Sequence, residues 1–496
     1  MKKLLAATLA LFAVWACEKA QENDGDGNTV IPAPEAISVS PASISSSAEG
    51  GDYIITVSAP ARPKLSGLPA WIGFEDGIFK DYSIEFTLNV SRNTTSESRS
   101  ADVTVTSEGV PSVTVTIVQS APDSDGWESA FSAVRNMGAG WNLGNTLDSN
   151  SGSVDNMWIE AYSSRTSADY ETAWGQPVTT RELIHMFKEA GFGSIRVPVT
   201  WYPHIGKVNV NGTHWDMSTW EGYDVDPAWM ARVKEVVDYV IDEGMYCILN
   251  VHHDTGAGST AWLVAGESEF ESVKARYASL WAQIAETFKD YGEKLLFESY
   301  NEMLDPLDSW CFASFSAPGG YDEGIAESAY KAINSYARLF TETVRASGGN
   351  NSQRNLIVNT YAACSGDGTW NTHLKDPIIQ IAIPEEPLHM AVEVHSYWDA
   401  EKFDSQKTDI DALFSNLDQY LVRRLGVPVI IGEWGGGSGE DSDANVRFAS
   451  YFSQKAKDAG IAALWWMGLS DGKDRSVPTW TMPKTKDAIL KAYIDN

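Results

Sequence analysis

From residue 138 onward the chain repeats one pattern: a short apolar run, a polar break, then a stretch with apolar residues at three- and four-residue spacing. The runs cover 138–145, 192–198, 245–251, 295–301, 355–359, 390–394, 427–431 and 461–466. They are nearly continuous in apolar residues, as strands buried on both faces of a parallel sheet should be. Between them the spacing predicts amphipathic helices over 180–190, 227–243, 273–291, 329–347, 409–425 and 444–459. Eight buried strands alternating with helices predict an α/β fold, a (β/α)8 TIM barrel over 128–496.

Ahead of that region the period changes to two. Alternation in 86–90 and 113–117, between Gly, Pro and Ser breaks, predicts short strands of a small Ig-like β-sandwich over 34–121. The polar segment 122–127 reads as a linker, and the Asp-, Asn- and Gly-rich stretch 17–33 as a flexible tether. Residues 1–16 carry Lys2 and Lys3, an apolar run too short to span a bilayer, and Ala16 just before Cys17. These features resemble a lipoprotein signal, which implies acylation of Cys17, an outer-membrane location at the cell surface or periplasm of a Gram-negative bacterium, and membrane contact through that lipid alone. Trp15 departs from the small residue usual at its position, and an ordinary secretory signal is the alternative. The segments 93–100, 101–105 and 118–121 resemble BACON-type modules that precede surface glycan-degrading enzymes. Exposed aromatics are scarce there, which favours a spacer role.

Charge narrows the partners. With 37 Lys and Arg against 67 Asp and Glu, the net charge of −30 disfavours nucleic acid and anionic membrane surfaces and suits a neutral polymer. Of 19 Trp, 16 lie beyond Trp127, and indole faces stack well on pyranose rings. Cys247, Cys311 and Cys364 are too few and scattered for a disulfide framework or a metal knuckle. Cys311 and Cys364 follow the fourth and fifth strands on one barrel face, so a bond between them is open in an exported chain.

Polar residues collect at the strand ends. At or just past the ends of the runs stand Arg196 on the second, His252 and His253 on the third, Asn301 and Glu302 on the fourth, His395 and Tyr397 on the sixth, Glu433 on the seventh and Trp466 on the eighth. Catalytic groups of such barrels project from there. Two acids on separate strands suit glycoside hydrolysis, in which one carboxyl protonates the leaving oxygen and the other, ionised, attacks. A metal site built on His252, His253 and Glu393 is disfavoured by their separate strands, and no phosphate loop or serine elbow occurs. No metal or other cofactor is expected.

With Gly140-Trp-Asn-Leu-Gly-Asn-Thr-Leu-Asp148 and Ile431-Gly-Glu-Trp-Gly435, this set resembles glycoside hydrolase family 5 of the clan A barrels. Within the family it is most similar to subfamily 4 endoglucanases, xyloglucanases and mixed-linkage glucanases. The resemblance implies Glu302 as acid/base, Glu433 as nucleophile and net retention. Asn301 is then placed for the sugar 2-hydroxyl, Arg196 and Tyr397 to keep Glu433 ionised, His395 beside Glu302 or the leaving sugar, His252 at the −1 sugar, His253 lining a more distant subsite or packing behind His252, and Trp466 as floor. Asn142 and Asn145 bind sugar hydroxyls or cap loops. Where the family usually shows Trp-Trp-Asp-Asn-Gly, this chain has Trp465-Trp-Met-Gly-Leu469. Trp174, Trp262, Trp310 and Trp398 are further candidates for stacking. The expected activity is a monomeric, retaining endo-β-1,4-glucanase acting on a β-glucan polysaccharide, xyloglucan foremost. The alternatives are cellulose-type or mixed-linkage glucan as main substrate, or a non-catalytic glycan-binding lipoprotein.

Overall fold

The computed structural model describes residues 32–494 except 49, 92, 94–97, 122–125, 438 and 439. Cys17, the signal and most of the tether lie outside the described residues.

Eight parallel strands close into a barrel in chain order, the first hydrogen-bonded to the eighth. They are Ala139–Asn142, Ser194–Val197, Tyr246–Asn250, Leu295–Glu298, Leu356–Cys364, Met390–Tyr397, Val429–Gly435 and Ala462–Trp465. Because strand side chains alternate, every second residue points into the barrel. The lower interior is apolar: Tyr246, Ile248, Leu296, Ile357, Ala391, Ile430, Ala462 and Leu464 cluster with Ala133, Val134 and Met137 of the helix Ala130–Asn136. One step further along the same strands the inward positions turn polar, to Asn142, Arg196, Asn250, Glu298, Asn359 and Glu393, all fully buried. This change of layer sets the depth of the site.

The helices differ from expectation mainly at their starts. Glu267–Thr287 and Glu323–Ala346 each begin about six residues early, the second capped by Asp322, whose side chain accepts from Ile325 N–H. Polar first turns hide such starts from a search for apolar spacing. The helix expected over 409–425 is an α-helix, Phe403–Leu417, that passes into a π-helix, Asp418–Arg423. The fifth strand runs on past Asn359, through a register irregularity at which Ala362 and Ala363 take φ of 52° and 50°.

Before the barrel lie two four-stranded sheets. One orders Ser38–Ser40, Gly51–Ser58, Ser83–Val90 and Ile72–Asp76; the other Ser43–Ser46, Val110–Gln119, Arg99–Ser107 and Lys64–Ser66. Their inward residues, among them Tyr53, Ile55, Val57, Phe86, Leu88, Val105, Val115 and Ile117, form one apolar cluster separate from the barrel's.

Candidate active site

At the C-terminal mouth of the barrel Arg196 organises the floor. Its side chain is fully buried on the second strand and spends all five N–H groups. Nε donates to Glu298 Oε2 at 2.6 Å, Nη2 to Glu298 Oε1 and Asn301 Oδ1 at 2.8 Å each, and Nη1 to Glu433 Oε1 at 2.7 Å and Asn142 Oδ1 at 3.0 Å. Burial alone would lower the affinity of the guanidinium for its proton, but Glu298, Glu393 and Glu433 outweigh it and hold the charge firmly.

Glu433 is anchored from two sides. Tyr397 Oη donates to Oε2 at 2.6 Å, opposite the Arg196 contact on Oε1. Burial disfavours its ionised form, yet His395, Arg196 and the Tyr397 hydroxyl together hold the carboxyl below its ordinary range. It is therefore an ionised carboxylate at neutral pH, as a nucleophile requires. His252, neutral because burial and the neighbouring cations depress its proton affinity, accepts from Asn250 Nδ2 at its Nδ1. That leaves the hydrogen on Nε2, which stands 3.8 Å from Glu433 Oε1.

Glu302 is less enclosed, its side chain 24% exposed, and it meets His395 Nδ1 at 2.7 Å. His395 stands between carboxylates, with Nδ1 also 3.6 Å from Glu433 Oε2 and Nε2 3.3 Å from Glu393 Oε1. Burial would lower its pKa; Glu433, Glu302 and Glu393 outweigh that and push it up to about 10. Oxygens of Glu302 and Glu433 and a nitrogen of His395 all lie within 4.8 Å of one another. So short a separation is below the roughly 6.5–9.5 Å that inverting chemistry uses and suits direct attack by one acid.

The remaining expectations divide. Trp466 lies parallel to His252, ring centroids 5.7 Å apart at 6°, and a Cβ on Gly144 would stand 2.9 Å from the indole, so this glycine makes room for the ring. Asn301 commits Oδ1 to Arg196 and keeps its amide N–H groups to donate. Asn145, half-buried at φ 60°, lines the cleft beside Trp466, its N–H held by Asp148 Oδ2 at 3.0 Å. His253, one-third exposed, packs against His252 and Trp174 with Nε2 3.8 Å from Asp148.

Asn142 is a correction. It is fully buried in the polar ring, with Nδ2 given to the carbonyls of Gly432, Leu464 and Trp465 and Oδ1 taken by Arg196, so it braces the floor and meets no sugar. Trp262 is another: its indole N–H donates to buried Asp254 at 2.6 Å and only 4% of it is exposed. Trp398 is half-buried with its N–H on Ser396 Oγ. Trp370, which the sequence reading passed over, is 62% exposed. It joins Trp310, Cys311, Cys364, Glu302 and Tyr397 around a depression of about 330 Å³. Cys311 and Cys364 are free thiols there. Glu298 and Asn250 were also missed, and Glu393 was weighed only as a metal ligand; an acid or amide inside a buried strand was the available signal.

A site organised in this way has its counterpart among known proteins. The family model described as cellulase (glycosyl hydrolase family 5) matches residues 158–471. Endoglucanase A of Clostridium longisporum is 34% identical over 385 residues, 74% of this chain and 66% of that protein, so this chain spans just under two thirds of that relative. A broad-specificity GH5-4 endoglucanase from an uncultured bacterium is 49% identical, with a TM-score of 0.67 over 74% of this chain and 97% of its own. A family 5 enzyme from Prevotella bryantii B14, crystallised with a xyloglucan tetradecasaccharide, is 37% identical at a TM-score of 0.61 over 74% and 99%.

The raised pKa of His395 predicts how stability follows pH. Its contribution is fully present below about pH 6.5, the unfolded value, and is lost as pH rises towards about 10, the folded one. Urea unfolding of the parent should therefore weaken by roughly 1 kcal/mol per pH unit across that window relative to His395→Gln. Parallel pH profiles for the two chains would contradict the assignment. By its site and its match to the family model, the chain belongs to glycosyl hydrolase family 5, the cellulase family.

Proposed function

We propose that this chain is a retaining endo-β-1,4-glucanase that cuts plant β-glucan, with xyloglucan as preferred substrate. The observation that carries the reading is the contact set of Glu302, His395 and Glu433, with Glu433 held ionised. Glu302 protonates the glycosidic oxygen while Glu433 attacks the anomeric carbon. Water then enters through Glu302 acting as base, and Glu433 is released. Asn301, fixed by Arg196, is placed to donate to the 2-hydroxyl, and Trp466 offers a face to the ring being cleaved.

The xyloglucan preference is supported by Trp310 and Trp370, 41% and 62% exposed, in the depression on the Glu302 side of the pair. Leaving-group sugars lie on the side of the acid, and xylose branches add area for stacking. The similarity to a family 5 enzyme crystallised with a xyloglucan oligosaccharide points the same way. We further assign the N-terminal sheets as an Ig-like spacer of BACON type, and Cys17 as a lipid anchor at the outer membrane of a monomeric enzyme.

Azide separates the roles of the two acids. On an aryl β-cellobioside, Glu302→Ala with azide should yield the β-glycosyl azide and Glu433→Ala the α-azide, as resolved by proton NMR; one anomer from both variants would refute the assignment.

Trp370→Ala should lower kcat/KM on xyloglucan about fivefold, the equivalent of about 1 kcal/mol, while sparing an aryl cellobioside that leaves this depression empty. Equal loss on both substrates, or a parent that prefers mixed-linkage glucan or mannan, would count against a xyloglucan platform.

Cys17→Ala should move the protein from the membrane fraction to the soluble one; unchanged fractionation would exclude the anchor.

A further inference from the structure

Glu393 is a fully buried acid directly beneath the cleft to which the catalytic scheme above gives no task. It sits on the sixth strand two residues before His395 and on the same face. Its Oε1 is 3.3 Å from His395 Nε2 and 3.3 Å from Arg196 Nε. The arginine has no donor to spare, since its five N–H groups serve Glu298, Asn301, Glu433 and Asn142. The other oxygen, Oε2, meets no hydrogen-bond partner among the described residues. His395 is thus the donor available to this carboxylate.

A second observation shows that the space for it is built in. Position 432, directly before the nucleophile, is glycine, and a Cβ there would stand 1.7 Å from Glu393 Oε1 and 2.3 Å from its carboxyl carbon. No side chain fits at 432 while Glu393 keeps its place. An unpaired buried carboxylate costs several kcal/mol, so a second acid beside the Glu298–Arg196 pair implies a proton or a cation held against it.

We propose that Glu393 is a positioning residue for the acid/base: it keeps His395 a doubly protonated imidazolium whose Nδ1–H orients Glu302 and stabilises the carboxylate formed when the leaving sugar takes its proton. The proton balance is simple. Glu302 passes its own proton to the glycosidic oxygen and later takes one from water, while both imidazolium hydrogens stay on His395. Around that ring stand Glu302 beyond the fourth strand, Glu433 on the seventh, Glu393 on its own strand, Arg196 on the second, His252 after the third and Cys364 as its register neighbour on the fifth. Burial and the nearby Glu298 push Glu393 itself up to about 7. Its negative charge therefore appears above neutrality, where an imidazole would otherwise lose its proton.

The inference rests on Glu302 being the acid/base, and its test is read without turnover, so it can fail while the acid pair stands. In the full chain with isotope-labelled histidine, the NMR titration midpoint of His395 should fall by at least about one pH unit in Glu393→Gln, which keeps the shape and removes the charge. Glu393→Asp should restore part of the shift. On an aryl cellobioside, Glu393→Gln should lower kcat with KM near the parent value, and the loss should deepen towards alkaline pH. An unmoved His395 midpoint, or a pH-independent loss of activity, overturns the proposal. Should the variant not fold, the parent decides: one bare ring nitrogen at about pH 8 overturns the assignment, and protonation of both upholds it.

Discussion

One buried guanidinium constrains the rest of the site. Arg196 lies where the barrel interior changes from apolar to polar, and a charge at that depth survives only if its donors are matched. The partners arrive from three strand ends: Asn142 from the first, Glu298 and Asn301 from the fourth and Glu433 from the seventh, with Glu393 close by on the sixth. Fixing one cation therefore fixes the relative height and azimuth of the Glu433 carboxylate and the Asn301 amide together. It also explains why Asn142 is inside the floor: with its amide spread over three carbonyls of the seventh and eighth strands, it ties the closing seam of the barrel to the arginine.

The same array separates two chemically identical acids. Glu433 receives Arg196 and Tyr397 on its two oxygens and is held ionised. Glu302, a quarter exposed, meets His395 alone among these groups and keeps an open side towards the cleft. Environment, and not residue type, separates the two carboxyls, which is the basis on which the proposal gives attack to one and proton transfer to the other. His395 links them, its Nδ1 standing 2.7 Å from Glu302 and 3.6 Å from Glu433.

Much of this was legible in the chain, because buried parallel strands write continuous apolar runs and their C-terminal ends write polar residues. The eight runs became the eight strands, and the structure brings Glu302, Glu433 and most of the expected neighbours together at one end of the barrel. The polar ring one layer down did not. Glu298 within Leu-Leu-Phe-Glu and Glu393 within Ala-Val-Glu-Val read as interruptions of an apolar run, although strand parity puts them on the inward face with Leu296 and Ala391. Asn142 failed for the converse reason: at the end of a strand, sequence alone does not say whether a side chain stops at the floor or rises above it. Tryptophans in loops carry still less information. Trp262 turns inward to satisfy Asp254 while Trp370 stays in solvent, and that choice depends on a partner brought from elsewhere in the fold.

The N-terminal sheets meet the barrel away from this chemistry. Arg423 pairs with Asp52 at 2.9 Å, and a Cβ on Gly426, at φ 70°, would stand 2.5 Å from Ser45 O. Both barrel residues precede the seventh strand, which begins at Val429, whereas Glu433 lies towards its other end. In a parallel barrel all strands start on one face and deliver their catalytic groups on the opposite one. A module docked where the seventh strand begins sits on the far side from the cleft and does not extend the depression lined by Trp310 and Trp370.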